Sequence, residues 1–214
     1  MTSSPGATRD DDGRSEGRGA GRTSRRERAA FIDRDGVLNV EQGFVHRIED
    51  FVLVPGALAA LAALEAAGYR RVVVTNQSGI ARGLYTEADF ERLMGEVRLR
   101  LRAEGVSFDA VEYCPHLPDA PLAQYRRACE CRKPEPGMLL KAIGALDIDP
   151  AASFLVGDRI SDVQAGRAAG LGRCFLVRTG YALSAEAIAA ADAVYDDLLG
   201  CVTDVLNGDR SRAD

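Results

Sequence analysis

Asp33 and Asp35 stand two residues apart directly after the apolar run Ala29-Ala30-Phe31-Ile32, and Gly36 follows them. Two carboxylates so close to a buried strand end repel one another, and a magnesium ion between them relieves that cost. Capping aspartates at a solvated strand end would read the same, so the pair alone does not decide. A second apolar run, Val72-Val73-Val74, ends in Thr75-Asn76-Gln77-Ser78-Gly79, whose hydroxyls, amides and backbone N–H groups suit phosphate oxygens and equally suit a plain polar turn. Arg132 and Lys133 lie just ahead of Pro134 and Pro136, where a stiffened backbone makes either a fixed cationic site or a basic turn. Phe154-Leu155-Val156-Gly157 runs into Asp158-Arg159-Ile160-Ser161-Asp162. Asp158 offers a third oxygen ligand, and Asp162 either assists it or caps the next helix.

A separate constellation combines thiols with an imidazole. The chain has five cysteines and two histidines, yet Cys114, His116, Cys129 and Cys131 fall within eighteen residues. Three thiolates and one imidazole match tetrahedral zinc, and four protein ligands leave no open position, which makes the site structural. The C-x-H and C-x-C spacings are tighter than those of most zinc fingers, so free buried thiols stand as the alternative. Cys174 and Cys201, in an apolar strand and a late helix, read as core thiols, and His46 as a loop residue.

The elements that must carry these residues alternate in type. Strands are expected at 29–33, 71–75, 111–113, 153–156 and 174–177, and helices at 55–67, 87–104, 137–146, 162–169, 185–191 and 198–206. Such alternation implies α/β architecture with a parallel sheet covered on both faces, whose ligands bind beyond the carboxyl ends of the strands. Residues 36–50 and 115–136 interrupt the rhythm. They are too short for a separate cap domain and are expected to be loops closing over a site. Residues 1–28 hold no Val, Ile, Leu, Phe or Tyr and are expected to be a disordered tail, followed by one domain over 29–206 and a C-terminal tail over 207–214.

Composition narrows the function classes. Hydrophobic residues make up 46% of the chain, enough for a core, and no run approaches the ~20 apolar residues that span a bilayer. The N-terminus lacks an apolar signal region, so a cytoplasmic protein with reduced thiols is expected. The net charge is −5, and the first 28 residues carry seven Arg against five acidic residues, so the remainder is more acidic still. That balance argues against a nucleic-acid binder and leaves an anionic ligand to be held by a local site.

Taken in order, DxD, Thr turn, Lys and GD resemble the motifs of the haloacid dehalogenase superfamily. The stretches DRDGVLNVEQGFVH, TNQSGIARGLYT and CPH to CECRKPEPGM narrow the resemblance, over about 29–206, to the heptose bisphosphate phosphatases and their histidinol-phosphatase relatives. Ser78 sits where histidinol enzymes tend to carry an acidic residue. The resemblance implies a Rossmann-like parallel sheet flanked by helices, no large cap domain and a zinc-binding loop insertion. It implies Asp33 as nucleophile, Asp35 as general acid and then base, and Thr75 and Lys133 as phosphoryl-stabilising groups. Asp33, Asp35 (through its main-chain carbonyl) and Asp158 would hold Mg2+. Glu41, Gln42, Gly43 and Phe44, with Thr75, Asn76, Gln77, Ser78, Arg132, Lys133 and Arg159, would contact a small phosphosugar. A monomer is expected. A histidinol phosphatase, and a zinc-stabilised phosphosugar-binding protein without turnover, are the alternatives.

Overall fold

Ala29–Ile32 (β1) is buried at every residue because Arg70–Asn76 (β2) and Phe154–Gly157 (β4) pair with it on either side. Ala110–Cys114 (β3) extends the sheet beyond β2, and Arg173–Val177 (β5) and Ala193–Tyr195 (β6) extend it beyond β4. All pairings are parallel, in the order β3-β2-β1-β4-β5-β6. The order reverses between β1 and β4, and the crevice at such a switch point is where open α/β sheets bind ligands. This computed structural model describes residues 26–211.

Side chains alternate across the sheet with period two. Ala30, Ile32, Val73, Phe154, Val156, Phe175 and Val177 join one core with helices Ala57–Ala66 (α1), Glu87–Ala103 (α3) and Leu198–Ser211 (α7). Phe31, Val72, Val74, Leu155, Cys174 and Leu176 join the opposite core with Gly137–Ala145 (α4), Ile160–Ala168 (α5) and Ala185–Ala190 (α6). Helix α3 shows the local logic. Thr86 Oγ1 accepts from Asp89 N–H at 3.1 Å while Asp89 Oδ2 accepts from Thr86 N–H at 2.9 Å, a capping box that starts the helix. Phe90, Leu93, Met94, Val97 and Leu101 then recur at helical spacing on its buried face.

The expected alternation of elements and the lack of a large cap hold. Residues 36–50 and 115–136 form irregular loops whose helical content is the 3-10 turns Ile48–Asp50 and Ala123–Tyr125. Some features differ from the sequence reading. Strand β6 and the one-turn helix Ser78–Ala81 (α2) were not expected, since three or four residues are too few to show a period. The 207–214 tail is helical through Ser211, because Asp209 binds Arg28 at 2.8 Å and the Tyr69 hydroxyl at 2.6 Å and so anchors the last turns. The 1–28 tail ends earlier than expected: Asp149 N–H donates to the Glu27 carbonyl at 2.7 Å, so the body begins before Ala29. The rest of that expected tail, 1–25, lies outside the described residues. No described helix is long and apolar enough to cross a membrane.

Candidate active site

Where β1, β2 and β4 end, a cleft of about 430 Å³ opens. Asp33, Asp35, Thr75, Asn76, Gln77, Ser78, Arg132, Lys133, Asp158 and Arg159 line it, with Glu41, Gly43 and Phe44 from the first loop. Gln42 is exposed and does not line it.

Asp33 is fixed by its own backbone, whose N–H donates to the Val156 carbonyl at 2.9 Å and so continues the β1–β4 ladder one residue further. Its Oδ1 meets Lys133 Nζ at 2.8 Å. Lys133 Nζ also contacts Asp162 Oδ1 at 2.6 Å and donates to the Val74 carbonyl at 2.8 Å. Burial by itself would lower the Lys133 ammonium, but Asp162 and Asp33 outweigh it and hold the charge firmly on. Asn76 places this lysine: Lys133 N–H donates to Asn76 Oδ1, and Asn76 Nδ2 donates to the Lys133 carbonyl, both at 3.0 Å.

Burial pushes Asp33 up to about 8, with Asp162 and Asp158 adding to the shift against the opposing Lys133. Burial also drives Asp158 up to about 6, with Asp162 adding. The three acids each present an oxygen within 4.8 Å of the others, and Asp158 Oδ1 is buried without a hydrogen-bond partner. Crowded, desolvated carboxylates with an unpartnered oxygen fit a hard divalent cation.

Asp162 answers the question its sequence position left open. It is the third residue of α5, its Oδ2 accepts from Arg159 N–H at 2.9 Å, and its other oxygen pairs with Lys133. Helix α5 therefore starts two residues before the expected position. Asp35 points elsewhere. Its carboxylate accepts from Arg34 at 2.7 Å, from Asn39 Nδ2 at 3.2 Å and from Gln77 Nε2 at 3.1 Å. Gln77 also donates to Thr75 Oγ1 at 2.7 Å and accepts from the Tyr85 hydroxyl at 2.5 Å.

Two close approaches depend on glycine. Gly36 has φ of 83°, and a Cβ there would lie 2.6 Å from Asp158 Oδ2. At Gly180 a Cβ would lie 2.0 Å from the same oxygen, so neither position accepts a side chain beside that acid.

Sequence reasoning missed Arg34 and Tyr181. Arg34 is fully buried, forks onto Asp35 and donates to the Val45 carbonyl at 2.8 Å, joining the acid to the loop that carries Glu41 to Phe44. The only sequence signal was its position inside DxD, which does not say where its side chain turns. Tyr181 lines the cleft and stacks on the Arg159 guanidinium 3.6 Å from its ring centre, a contact between residues 22 positions apart.

Cys114, His116, Cys129 and Cys131 come together at the end of β3 and across the second loop. Their sulfurs lie 2.9 to 3.5 Å apart, and His116 Nδ1 is 3.3 Å from Cys131 Sγ. Ligands ~2.3 Å from one tetrahedral centre stand about 3.8 Å from each other, so a modest expansion admits zinc. Burial and the Arg127 charge keep His116 below its ordinary value, in the neutral form a metal requires. Arg132 Nη1 donates to the His116 carbonyl at 3.1 Å and links this cluster to the cleft. Cys174 and Cys201 are buried in the two cores, as expected, and His46 stacks on Tyr85 at 4.8 Å.

Known proteins resemble this chain in sequence and fold. The Hydrolase_like (HAD-hydrolase-like) family model matches residues 130–201. The D-glycero-beta-D-manno-heptose-1,7-bisphosphate 7-phosphatase of Yersinia pestis is 49% identical over 170 residues, 79% of this chain and 90% of that protein. The chain belongs to the D-glycero-beta-D-manno-heptose-1,7-bisphosphate 7-phosphatase family. The Escherichia coli K12 member of the heptose bisphosphate phosphatases is 48% identical over 79% of this chain and 89% of its own length. The crystal structure of D,D-heptose 1.7-bisphosphate phosphatase from B. bronchiseptica, complexed with magnesium and phosphate, superposes with a TM-score of 0.73 at 34% identity, covering 85% of this chain and 99% of that one. Membership in this heptose phosphatase family makes the chain a phosphoric monoester hydrolase of haloacid-dehalogenase-like fold.

Proposed function

We propose that this protein removes the 7-phosphate of D-glycero-D-manno-heptose 1,7-bisphosphate and leaves the 1-phosphate, by way of an aspartyl-phosphate on Asp33. The observation that carries the reading is the meeting of Asp33, Asp35, Thr75 and Lys133 at the switch-point cleft of a chain 49% identical to named enzymes of that activity. An Asp33 oxygen attacks phosphorus as the bond to the sugar oxygen breaks, and Asp35 donates its proton to that leaving oxygen. Asp35 then takes a proton from water, which attacks the same phosphorus, releases inorganic phosphate and restores the Asp33 carboxylate. Thr75 Oγ1 and Lys133 Nζ offset phosphoryl charge in the cleft. Mg2+ held by Asp33, Asp158 and the Asp35 carbonyl would supply positive charge that keeps two acids from repelling an anionic substrate. Zn2+ held by Cys114, His116, Cys129 and Cys131 would serve structure.

A second anionic group on the substrate suits Arg132 and Arg159, whose guanidinium forks match phosphate. Histidinol phosphate carries an ammonium instead, which two guanidinium groups disfavour. The 1-phosphate product is a substrate for the class of nucleotidyl-transfer reactions. Phosphorus NMR of the product tests the reading: a retained 1-phosphate is expected. A retained 7-phosphate, or a kcat/KM for histidinol phosphate equal to that for the bisphosphate, overturns it.

A further inference from the structure

The cations of the cleft are not equally available to a ligand. Lys133 spends its donors on Asp33, Asp162 and the Val74 carbonyl. Arg132 gives one nitrogen to the His116 carbonyl. The Arg159 guanidinium makes no hydrogen bond or ion pair among the described residues, and what holds it is the ring of Tyr181, 3.6 Å away.

That mode of holding matters for recognition. An aromatic ring engages the face of the guanidinium plane, while its five N–H donors point outward in the plane. Stacking therefore restrains the side chain without consuming a donor, whereas a carboxylate partner would neutralise it and occupy the same edge. Tyr181 is itself fixed through its backbone. Its N–H donates to Asp158 Oδ2 at 3.0 Å, and the preceding Gly180 packs against that carboxylate. Tyr181, 46% exposed, lines the cleft wall from this anchor.

From this stack we infer that Tyr181 is a specificity-determining residue: it holds Arg159 with its donors free for the second, uncleaved anionic group of a small bisphosphate. It is a positioning residue acting through Arg159. The inference rests on the proposed bisphosphate substrate and adds the element that favours two phosphates over one.

The test compares heptose 1,7-bisphosphate with heptose 7-phosphate, which lacks the second group, in the full-length protein with Mg2+. In Tyr181→Ala, the ratio of kcat/KM for bisphosphate over monophosphate falls about fivefold, mostly through KM for the bisphosphate. Tyr181→Phe keeps the aromatic face and restores the ratio. Adding Tyr181→Ala to Arg159→Ala lowers the ratio no further than Arg159→Ala alone, because the ring acts through the arginine. A Tyr181→Ala ratio equal to wild type, a Tyr181→Phe ratio as low as that of Tyr181→Ala, or additive effects with Arg159→Ala overturns the inference. If the wild-type protein releases no phosphate from the bisphosphate, the proposed function fails and this inference falls with it. Wild-type turnover with an unmoved ratio rejects the role of Tyr181 alone.

Discussion

Asp33 and its partners differ in what their loss removes. Asp33→Asn keeps the shape of the side chain but presents an amide that is no usable nucleophile, so phosphate release should drop by more than a hundredfold while circular dichroism is unchanged. Residual activity above about a tenth, equivalent to a loss of less than ~1.4 kcal/mol, would contradict the nucleophile assignment. Arg34 acts at one remove. Arg34→Met retains the bulk packed near Phe90 but strips the forked bonds from Asp35 and the tie to Val45. Breaking such a pair from its buried side costs about 3 kcal/mol or more, read as a lower denaturant midpoint. In the molecules that remain folded, kcat should fall more than KM rises, since Asp35 loses its aim while the substrate groups stay. Steady-state kinetics at a temperature below the melting transition separate the two effects.

The second loop is the element whose order depends on something other than the sheet. Between β3 and α4 it has one 3-10 turn, and its Cys129 and Cys131 are brought back to Cys114 and His116 at the end of β3. Elemental analysis of protein purified without chelator should find about one zinc per chain. Removing it, or replacing Cys129 by Ser, should loosen the loop before the sheet and raise KM, because Arg132 hangs on the His116 carbonyl and Lys133 follows in the chain. Hydrogen exchange would show faster exchange over 115–136 with β1 and β4 unchanged. Equal loosening of the whole sheet would contradict a local structural role.

For the whole molecule, the crowded carboxylates tie stability to pH and to cation binding. Asp33 is raised from its ordinary 3.8 to about 8, so between those values the folded chain binds more protons than the unfolded one. Its contribution therefore falls as pH rises through that window, and Asp158, raised to about 6, contributes in the same direction over the lower part of it. A divalent cation reverses the penalty but must displace those protons. The rise in Tm produced by a fixed Mg2+ concentration should accordingly be larger at pH 8 than at pH 5.5, as differential scanning fluorimetry would measure. A shift independent of pH would show that these carboxylates are not the cation's ligands.

Residue types and order were enough to read the alternating elements, the acids at the ends of β1 and β4, the Thr75 turn, Lys133 and the Cys/His set, because apolar periodicity and ligand chemistry are local properties of a chain. Element edges and the shortest elements escaped that reading: α2 and β6 are too short to show a period, and the last turns of α7 are anchored by Arg28 and Tyr69, which the helix itself does not contain. Side-chain direction escaped it as well. That Asp35 turns to Arg34 and Gln77, that Asp162 serves Lys133, and that Tyr181 lies on Arg159 are decided where separate strands end together. Apart from the adjacent Arg34–Asp35 pair, these contacts join residues brought together by the parallel sheet and its loops, and the balance of burial against charge that aims each one exists only after the chain has folded.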